Sequence, residues 1–401
     1  MAKRNLSAVF GAAAAVLAAA AALVACGGGG SASGDASGAA ATSFASGPIS
    51  GFGSVIVNGV RFDDSKARIS DDDGQAHDRS ELRLGMVVEV KAGALASDDR
   101  GSHAQADDIA FHSELVGPID AIDAAAKTLT VIGQPVDVAA STVFDDRLAG
   151  GLASLHAGDV VEVYGTFDAA SGRYTATRIE PKPGATRYVL RGIVAGLDAT
   201  ARTFTIGGQT ISYAGLAAAQ VPANIADGLL VRVRVGTAQV AGAWVAEQIR
   251  DRTRRMDDRD EAELKGRIDA YTSSTQFSVD GIPVDASAAT FPDGTAAIVL
   301  GARVEVHGRA ANGVVVATRV TVEDEDRADR GDFELHGAVG ALDTAARTFT
   351  LRGLTVDYGG AGVEFKDGTA AALANGVQVE VKGGLSADGT RVVATRVEFE
   401  H

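Results

Sequence analysis

The chain has 401 residues, a formal net charge of −15, 49 Gly and a single Cys, with 46% apolar and only 5% aromatic residues. Its 37 basic against 52 acidic side chains argue against nucleic acid as a partner, because phosphate binding rests on clustered Lys and Arg. One Cys excludes an internal disulfide framework, and so few aromatics leave few stacking platforms for sugars or single strands.

Lys3 and Arg4 precede an uncharged apolar run from Ala8 to Ala25, which ends in Leu23-Val24-Ala25-Cys26. The run is too short and too abruptly ended for a membrane span and has the layout of an export signal. Its end looks like a bacterial lipobox, which makes residues 1–25 a lipoprotein signal peptide and Cys26 the lipidation site. This accounts for the one thiol of the chain. Cleavage would remove Lys3 and Arg4 and no acid, so the −15 of the whole chain becomes −17. A multi-chain acyl anchor is a stable attachment to the membrane. Gly27 after the cysteine leans, by resemblance to enteric bacteria, towards the outer membrane. Residues 26–46 are rich in Gly, Ala and Ser and read as a flexible tether with a span of about 25 Å.

Internal repetition dominates the rest. A Gly, two residues and Val-x-Val recur at Gly85/Val88/Val90, Gly158/Val161/Val163, Gly228/Val231/Val233, Gly301/Val304/Val306 and Gly376/Val379/Val381. A second marker follows each: Ala106 to Ile109, Ala176 to Ile179, Ala246 to Ile249, Ala317 to Val320 and Ala394 to Val397. A third precedes four of them, as in Lys127-Thr-Leu129-Thr-Val131 and Arg347-Thr-Phe349-Thr-Leu351. Every marker alternates apolar and polar residues, the period of half-buried strands. Val393, Thr395, Val397 and Phe399 are expected on one face, with Arg396 and Glu398 on the other. Asn58-Gly59 is a two-residue hairpin turn, and Gly133, Gly208, Gly281 and Gly353 stand at the same place in the other copies. Asp123, Asp198 and Asp343 each open a short turn and are expected to cap its backbone N–H groups.

Each unit thus reads as three strands, an irregular or helical connector and two strands, the order of an OB-type barrel. Closure suits units of about 65 residues, which sit near the lower limit of a self-sufficient core. The fold class is all-β: a tandem array of five small antiparallel OB-like β-barrels over 47–112, 113–180, 187–250, 262–323 and 333–400, following the signal peptide and tether. The charged linkers Asp251 to Glu261 and Asp324 to Asp332 read as solvated connectors that keep neighbouring domains apart.

Gly51-Phe-Gly-Ser-Val-Ile-Val-Asn-Gly-Val-Arg-Phe62, followed by Leu84-Gly-Met-Val-Val-Glu-Val90, resembles the first repeat of a bacterial lipoprotein family built of domain of unknown function 5666. The later Gly-x-x-Val-Glu-Val and Ala-Thr-Arg elements resemble its further repeats. The third unit departs most, with Arg232 in place of the Glu between the valines and Ala246-Glu247-Gln248 in place of Ala-Thr-Arg. The resemblance implies an envelope protein of repeated β-domains and carries over no catalytic residue.

Chemistry-bearing patterns are sparse. The seven histidines, at 77, 103, 112, 156, 307, 336 and 401, form no His-x-x-x-His pair, so no metal ligands and no cofactor are assigned. No Gly-x-Ser-x-Gly elbow and no phosphate-cradling Gly-rich loop occur, and no catalytic residue is assigned. Asp71-Asp72-Asp73-Gly74 resembles part of a calcium loop, but position 80 is Ser where a bidentate Glu belongs, so it reads as a solvated hairpin turn. With Asp98-Asp99 and Asp107-Asp108 in the same unit, weak calcium binding stays open. Glu89, Glu162, Glu305 and Glu380 point outward from their strands, as do Arg178, Arg319 and Arg396, and cross-strand pairs between the two rows are expected. Trp244 reads as packing.

The functional expectation is a lipid-anchored chain of barrels, extended in shape, acting as a non-enzymatic binding or scaffolding module in the cell envelope. Its partners would be the membrane, through Cys26, and an envelope protein or polymer. The alternatives are an envelope carbohydrate-active enzyme using paired carboxylates and a calcium-dependent surface adhesin.

Overall fold

A computed structural model describes residues 41–98, 101–252, 256–323 and 333–400. Cys26, the signal peptide, most of the tether and the linker after Glu323 lie outside the described residues. Among the described residues there is no α-helix, only strands and four short 3-10 turns, and no helix is long and apolar enough to cross a membrane.

Barrel 2 gives the plan. Leu115–Asp123 pairs with Thr128–Val131, and that strand with Gln134–Phe144, all antiparallel. Gln134–Phe144 then runs parallel to the last strand, Arg173–Pro181. The last strand pairs antiparallel with Val160–Asp168, which returns to the first and closes the barrel. The order is therefore first, second, third, fifth, fourth, first, with one parallel pair between third and fifth. The other four barrels repeat it, each with the same parallel pair. The fold is a set of five OB-like barrels.

Local chemistry sets these strands. Thr128–Val131, Thr203–Ile206 and Thr348–Leu351 each bury every second residue. The hairpin after the second strand needs two residues with positive φ, and it finds them in Asn58-Gly59, Ile132-Gly133, Asp280-Gly281 and Arg352-Gly353. The turn aspartates cap as expected: Asp123 Oδ1 accepts from Ala125 N at 3.0 Å and Ala126 N at 2.9 Å, and Asp198 and Asp343 do the same two and three residues on. The connector before the fourth strand contains one 3-10 turn in barrels 1, 2, 3 and 5, as at Gly151–Ser154, with short extra strands at Arg68–Asp71 and Ala76–His77 in barrel 1 and Glu364–Lys366 in barrel 5.

A β-bulge sits in the last strand of all five barrels and corrects the expected face assignment. Lys382 pairs with Arg396 but the next residue, Gly383, pairs with Ala394, so Thr395 is extra. Val392 and Ala394 face the core before the bulge, Val397 and Phe399 after it, and Val393 and Thr395 are exposed. Thr177 and Thr318 are the extra residues in barrels 2 and 4, and Asp107 and Glu247 in barrels 1 and 3. The Thr of Ala-Thr-Arg is thus a bulge residue. Opposite it, a Cβ on Gly165, Gly308 or Gly383 would lie 2.2 Å from a backbone carbonyl oxygen of the last strand. Ala92 and Val235 fill this place in barrels 1 and 3. Gly383→Ala is expected to cost ~1–3 kcal/mol by overpacking. Urea unfolding checks this, and a change under about 0.5 kcal/mol would mean that the bulge opens freely.

The barrels do not form the extended string expected from the linkers. Ala40–His401 is one compact unit. The first strand of barrel 1, Thr42–Phe52, pairs with its own fourth strand and also runs parallel to the first strands of barrels 4 and 5, at Ser43↔Glu261 to Ser46↔Leu264 and Gly51↔Glu334. Barrels 2 and 3 join at Val116↔Val189. Three cores result: one shared by barrels 1 and 5, one by barrels 2 and 3, and one in barrel 4 that takes in Phe44. Barrels this small bury too little surface alone, and sharing cores and edges offsets that. The linker ending at Glu261 does not hold its neighbours apart, although Asp257, Asp258, Asp260 and Glu261 are exposed as expected. Its last residues begin the strand Arg259–Ser273, and Asp260 accepts from Thr42 N at 2.8 Å.

Candidate functional site

The junctions between barrels gather most of the unusual chemistry. Glu89, Glu162, Glu305 and Glu380 do point away from their own barrels, but neighbouring barrels cover part of that surface. Glu162 is buried, and Arg178 is 3% exposed. Glu162, Glu305 and Glu380 do not take the arginines expected to face them across the strands. Arg178 bonds Glu180 and Asp145, and Arg396 bonds Glu398. Glu162 instead takes Lys182 at 2.5 Å, Glu305 takes His307 and Glu380 takes Lys382. Register explains this: Glu162 lies opposite Glu180, not opposite Arg178. Arg178 also donates to Leu84 O at 3.2 Å, and Thr177 Oγ1 to Gly85 O at 2.6 Å, so the bulge fastens barrel 2 to barrel 1.

Barrels 2, 3 and 4 meet on a buried ion pair. Arg191, 1% exposed, bonds Glu114, 0% exposed, and lies 3.9 Å from Asp280. Burial pushes the Glu114 carboxyl up to about 7, against the pull of Arg191. Burial also drives His112 down to about 4, with the charges of Arg191 and Arg232 acting the same way.

The run Asp71-Asp72-Asp73 makes the hairpin turn expected of it, with Asp71 Oδ1 accepting from Asp73 N and Gln75 N at 2.9 Å. It is not solvated. Asp72 faces Arg232 at 3.1 Å and Arg252 at 3.4 Å, and Asp73 bonds Arg234 with Arg232 at 3.6 Å and Arg250 at 3.8 Å. This explains Arg232 in place of the recurrent Glu: in barrel 3 that outward position meets the acidic turn of barrel 1. Asp98 and Asp108 are held by Arg61 and Arg68, each at 2.7 Å. Trp244 packs edge-on to Tyr188 and donates to Gln209 Oε1 at 3.0 Å in the core of barrel 3.

Between barrels 1, 2 and 5 lies a cleft of about 570 Å³, lined in part by Arg79, Arg83, Arg178, Arg352, Asp64 and Asp146. Arg79 is spent on buried Asp64 at 2.8 Å, and Arg178 on Asp145 and Glu180. Arg83 donates to backbone carbonyls of Ser80 and Leu82, and Arg352 to His336 O at 2.6 Å. Among the described residues neither has a carboxylate ion-pair partner. Burial raises the carboxyl of Asp146, helped by neighbouring Asp145. The lining is therefore net cationic in an acidic chain.

Two further clusters combine His with carboxylates: Glu263, Glu305 and His307 in barrel 4, and Glu334, His336 and Glu380 in barrel 5. Burial pushes Glu263 up to about 7, while the bond from His307 lowers Glu305. The bond from His336, with that of Lys382, holds Glu334 at about 2. A search for His-x-x-x-His misses both clusters. The strand spacing Glu-x-His, at Glu305/His307 and Glu334/His336, is the signal that finds them.

No match appears among curated proteins. Among solved structures, drosophila Unr CSD456 is similar at 16% identity with a TM-score of 0.16, over 42% of this chain and 78% of that one. The model of the domain of unknown function DUF5666 matches barrels 2, 4 and 5, the three with Gly opposite the bulge and Ala-Thr-Arg on the last strand. The chain carries tandem repeats of this domain, matched at residues 116–180, 265–321 and 336–398.

Proposed function

We propose that the chain is a lipid-anchored protein of the cell envelope whose fused barrels form a non-enzymatic binding module for an acidic envelope polymer. The anchor rests on Leu23-Val24-Ala25-Cys26 behind a basic, apolar leader. A Cys26→Ser chain expressed in a bacterium should leave the membrane fraction for the soluble one, and unchanged membrane retention would remove the anchor from the reading.

The observation that carries the binding role is the cleft between barrels 1, 2 and 5. Its volume of about 570 Å³ falls in the range of roughly 300–1,000 Å³ typical of ligand pockets. Arg83 and Arg352 offer guanidinium groups there without carboxylate partners among the described residues, and guanidinium matches carboxylate and phosphate in a fork geometry. The pocket thus selects an acidic sugar unit over a neutral one. Isothermal titration of the chain with glucuronate, glucose 6-phosphate and glucose tests this. The two anions should bind, with glucose silent, and Arg83→Gln with Arg352→Gln should weaken binding at least about tenfold, or ~1.4 kcal/mol. Equal response to glucose, or binding indifferent to both substitutions, would end the proposal.

The enzymatic alternative asks for two free carboxylates in one cleft. Glu263 and Glu305 have their titrations pushed apart beside a cavity, but Glu305 is taken by His307 at 2.7 Å. That arrangement supports binding over acid–base chemistry.

A further inference from the structure

Barrels 4 and 5 carry the same four-residue square on the face of their first and fourth strands. In barrel 4, Glu263 stands opposite His307 and Lys265 opposite Glu305. In barrel 5, Glu334 stands opposite Lys382 and His336 opposite Glu380. Each square has two Glu, one Lys and one His, with Lys and His exchanged between strands. In each, two carboxylates and the imidazole offer ligand atoms within 4.8 Å of one another.

The two squares differ in whether they are closed. In barrel 5, Lys382 Nζ sits 2.8 Å from Glu334 and 3.1 Å from Glu380. His336 completes the set, 2.9 Å from both Glu334 and Glu400. In barrel 4 the lysine is drawn away: Lys265 Nζ bonds Glu323 at 2.6 Å, and Arg303 holds the other oxygen of Glu323 at 3.3 Å. Glu305 keeps His307 Nε2 at 2.7 Å. Glu263 is left with His307 Nδ1 at 4.0 Å, too long for a hydrogen bond. Glu263 and His307 also line a cavity of about 230 Å³, whose other wall is Ser43, Phe44, Val60 and Phe62 of barrel 1.

We propose that Glu263, Glu305 and His307 bind a divalent transition-metal ion of the zinc class at the junction of barrels 1 and 4. One ligand atom from each of the three lies within 4.8 Å of the other two, and on binding the ion replaces the bond between His307 and Glu305 by metal–ligand bonds of about 2.0–2.2 Å. One imidazole and two carboxylates suit zinc, cobalt or nickel, whereas calcium asks for six to eight oxygens. Three protein ligands leave a coordination position open, here towards the cavity, the pattern of zinc sites that accept a further ligand. A dication also supplies the positive charge that Lys382 gives the matching square. Barrel 5 is the internal control, since its carboxylates already hold Lys382 and His336.

The test uses the full chain with Cys26→Ser, so that the one thiol cannot contribute. Titration with zinc should give one equivalent bound, and cobalt(II) should develop visible ligand-field absorption at the same stoichiometry. His307→Ala and Glu263→Gln should each weaken binding by at least the ~10–100-fold that follows loss of even a supporting residue, while His336→Ala leaves it intact. Absence of stoichiometric binding by the unsubstituted site overturns the proposal. Binding that survives His307→Ala, or that is lost instead with His336→Ala, overturns it as well.

Discussion

Replacing Arg191 with Met should destabilise the protein by ~3–5 kcal/mol at pH 8, among the largest effects of any single substitution in the chain. The reason is Glu114, which is fully buried and bonded to Arg191. Without the guanidinium the carboxylate stays in a dry junction of three barrels. Removing both charges, in Arg191→Met with Glu114→Leu, should restore most of the loss, because an apolar pair of similar volume needs no counter-charge. Urea unfolding of the two variants at one pH decides this. A double variant as unstable as the single one would mean that Arg191 acts through its packing and not its charge.

The same pair sets a pH dependence whose sign follows from burial. Glu114 is raised from 4.5 to about 7 in the folded protein. The folded state therefore holds this proton more tightly than the unfolded chain does. The contribution is fully present below about 4.5 and fades as pH rises towards 7, on the order of 3 kcal/mol at 1.36 kcal/mol per unit. His112 acts on the other limb: lowered from 6.5 to about 4, its neutral state stabilises the fold above 6.5 and is lost as pH falls through 4. Between about pH 4.5 and 6.5 the two groups act in opposite directions and nearly cancel, so Glu114→Gln should turn a flat stretch of the profile into one that rises with pH. An unchanged profile would mean that Glu114 is not the group titrating there.

The second large effect belongs to the acidic turn of barrel 1. Asp72→Asn with Asp73→Asn should cost ~3–5 kcal/mol, because Arg232 and Arg252 are buried against the turn and lose their counter-charge. Arg250 is 43% exposed in its side chain and adds little. The variant should also loosen barrel 1 from barrel 3, seen as faster amide exchange across Leu230–Val240. In the unsubstituted chain, millimolar calcium should leave the melting temperature unchanged, since these carboxylates already hold arginines. A ligand of the native state must raise the midpoint, so a calcium-dependent rise would show the ion displacing the guanidinium groups.

Much of this fold is legible from local rules. Alternation over Thr348–Leu351, paired positive φ at Asn58-Gly59 and capping by Asp123 are short-range effects, and each recurs wherever its residues recur. The strand order of the barrel follows because five short strands with those turns have few ways to close. The bulge was harder to see. Ala-Thr-Arg continues an alternating pattern by sequence alone, and only pairing with Gly383 reveals Thr395 as the extra residue that turns Val397 inward.

The candidate sites were less legible because they depend on which barrels touch. Cys26 lies outside the described residues, and its proposed role as anchor rests on the neighbouring sequence alone. Glu162 and Arg178 were placed outward correctly with respect to their own barrel, yet Lys182, Asp145 and barrel 1 enclose them. Glu263 gives no local sign that Lys265 will turn to Glu323 and leave it beside a cavity.

By itself the sequence determined the repeat, the strand periods, the turns and the barrel topology, because these arise from backbone sterics and side-chain alternation within about 65 residues. Only the tertiary structure decided that the five barrels share three cores, that Asp72 and Asp73 face arginines of barrel 3, and that Glu114 meets Arg191 out of water. The reason is that a charged residue facing away from its own barrel has the same sequence pattern whether solvent or a neighbouring barrel lies beyond it. Its energetics, and any site it forms, are fixed by that neighbour.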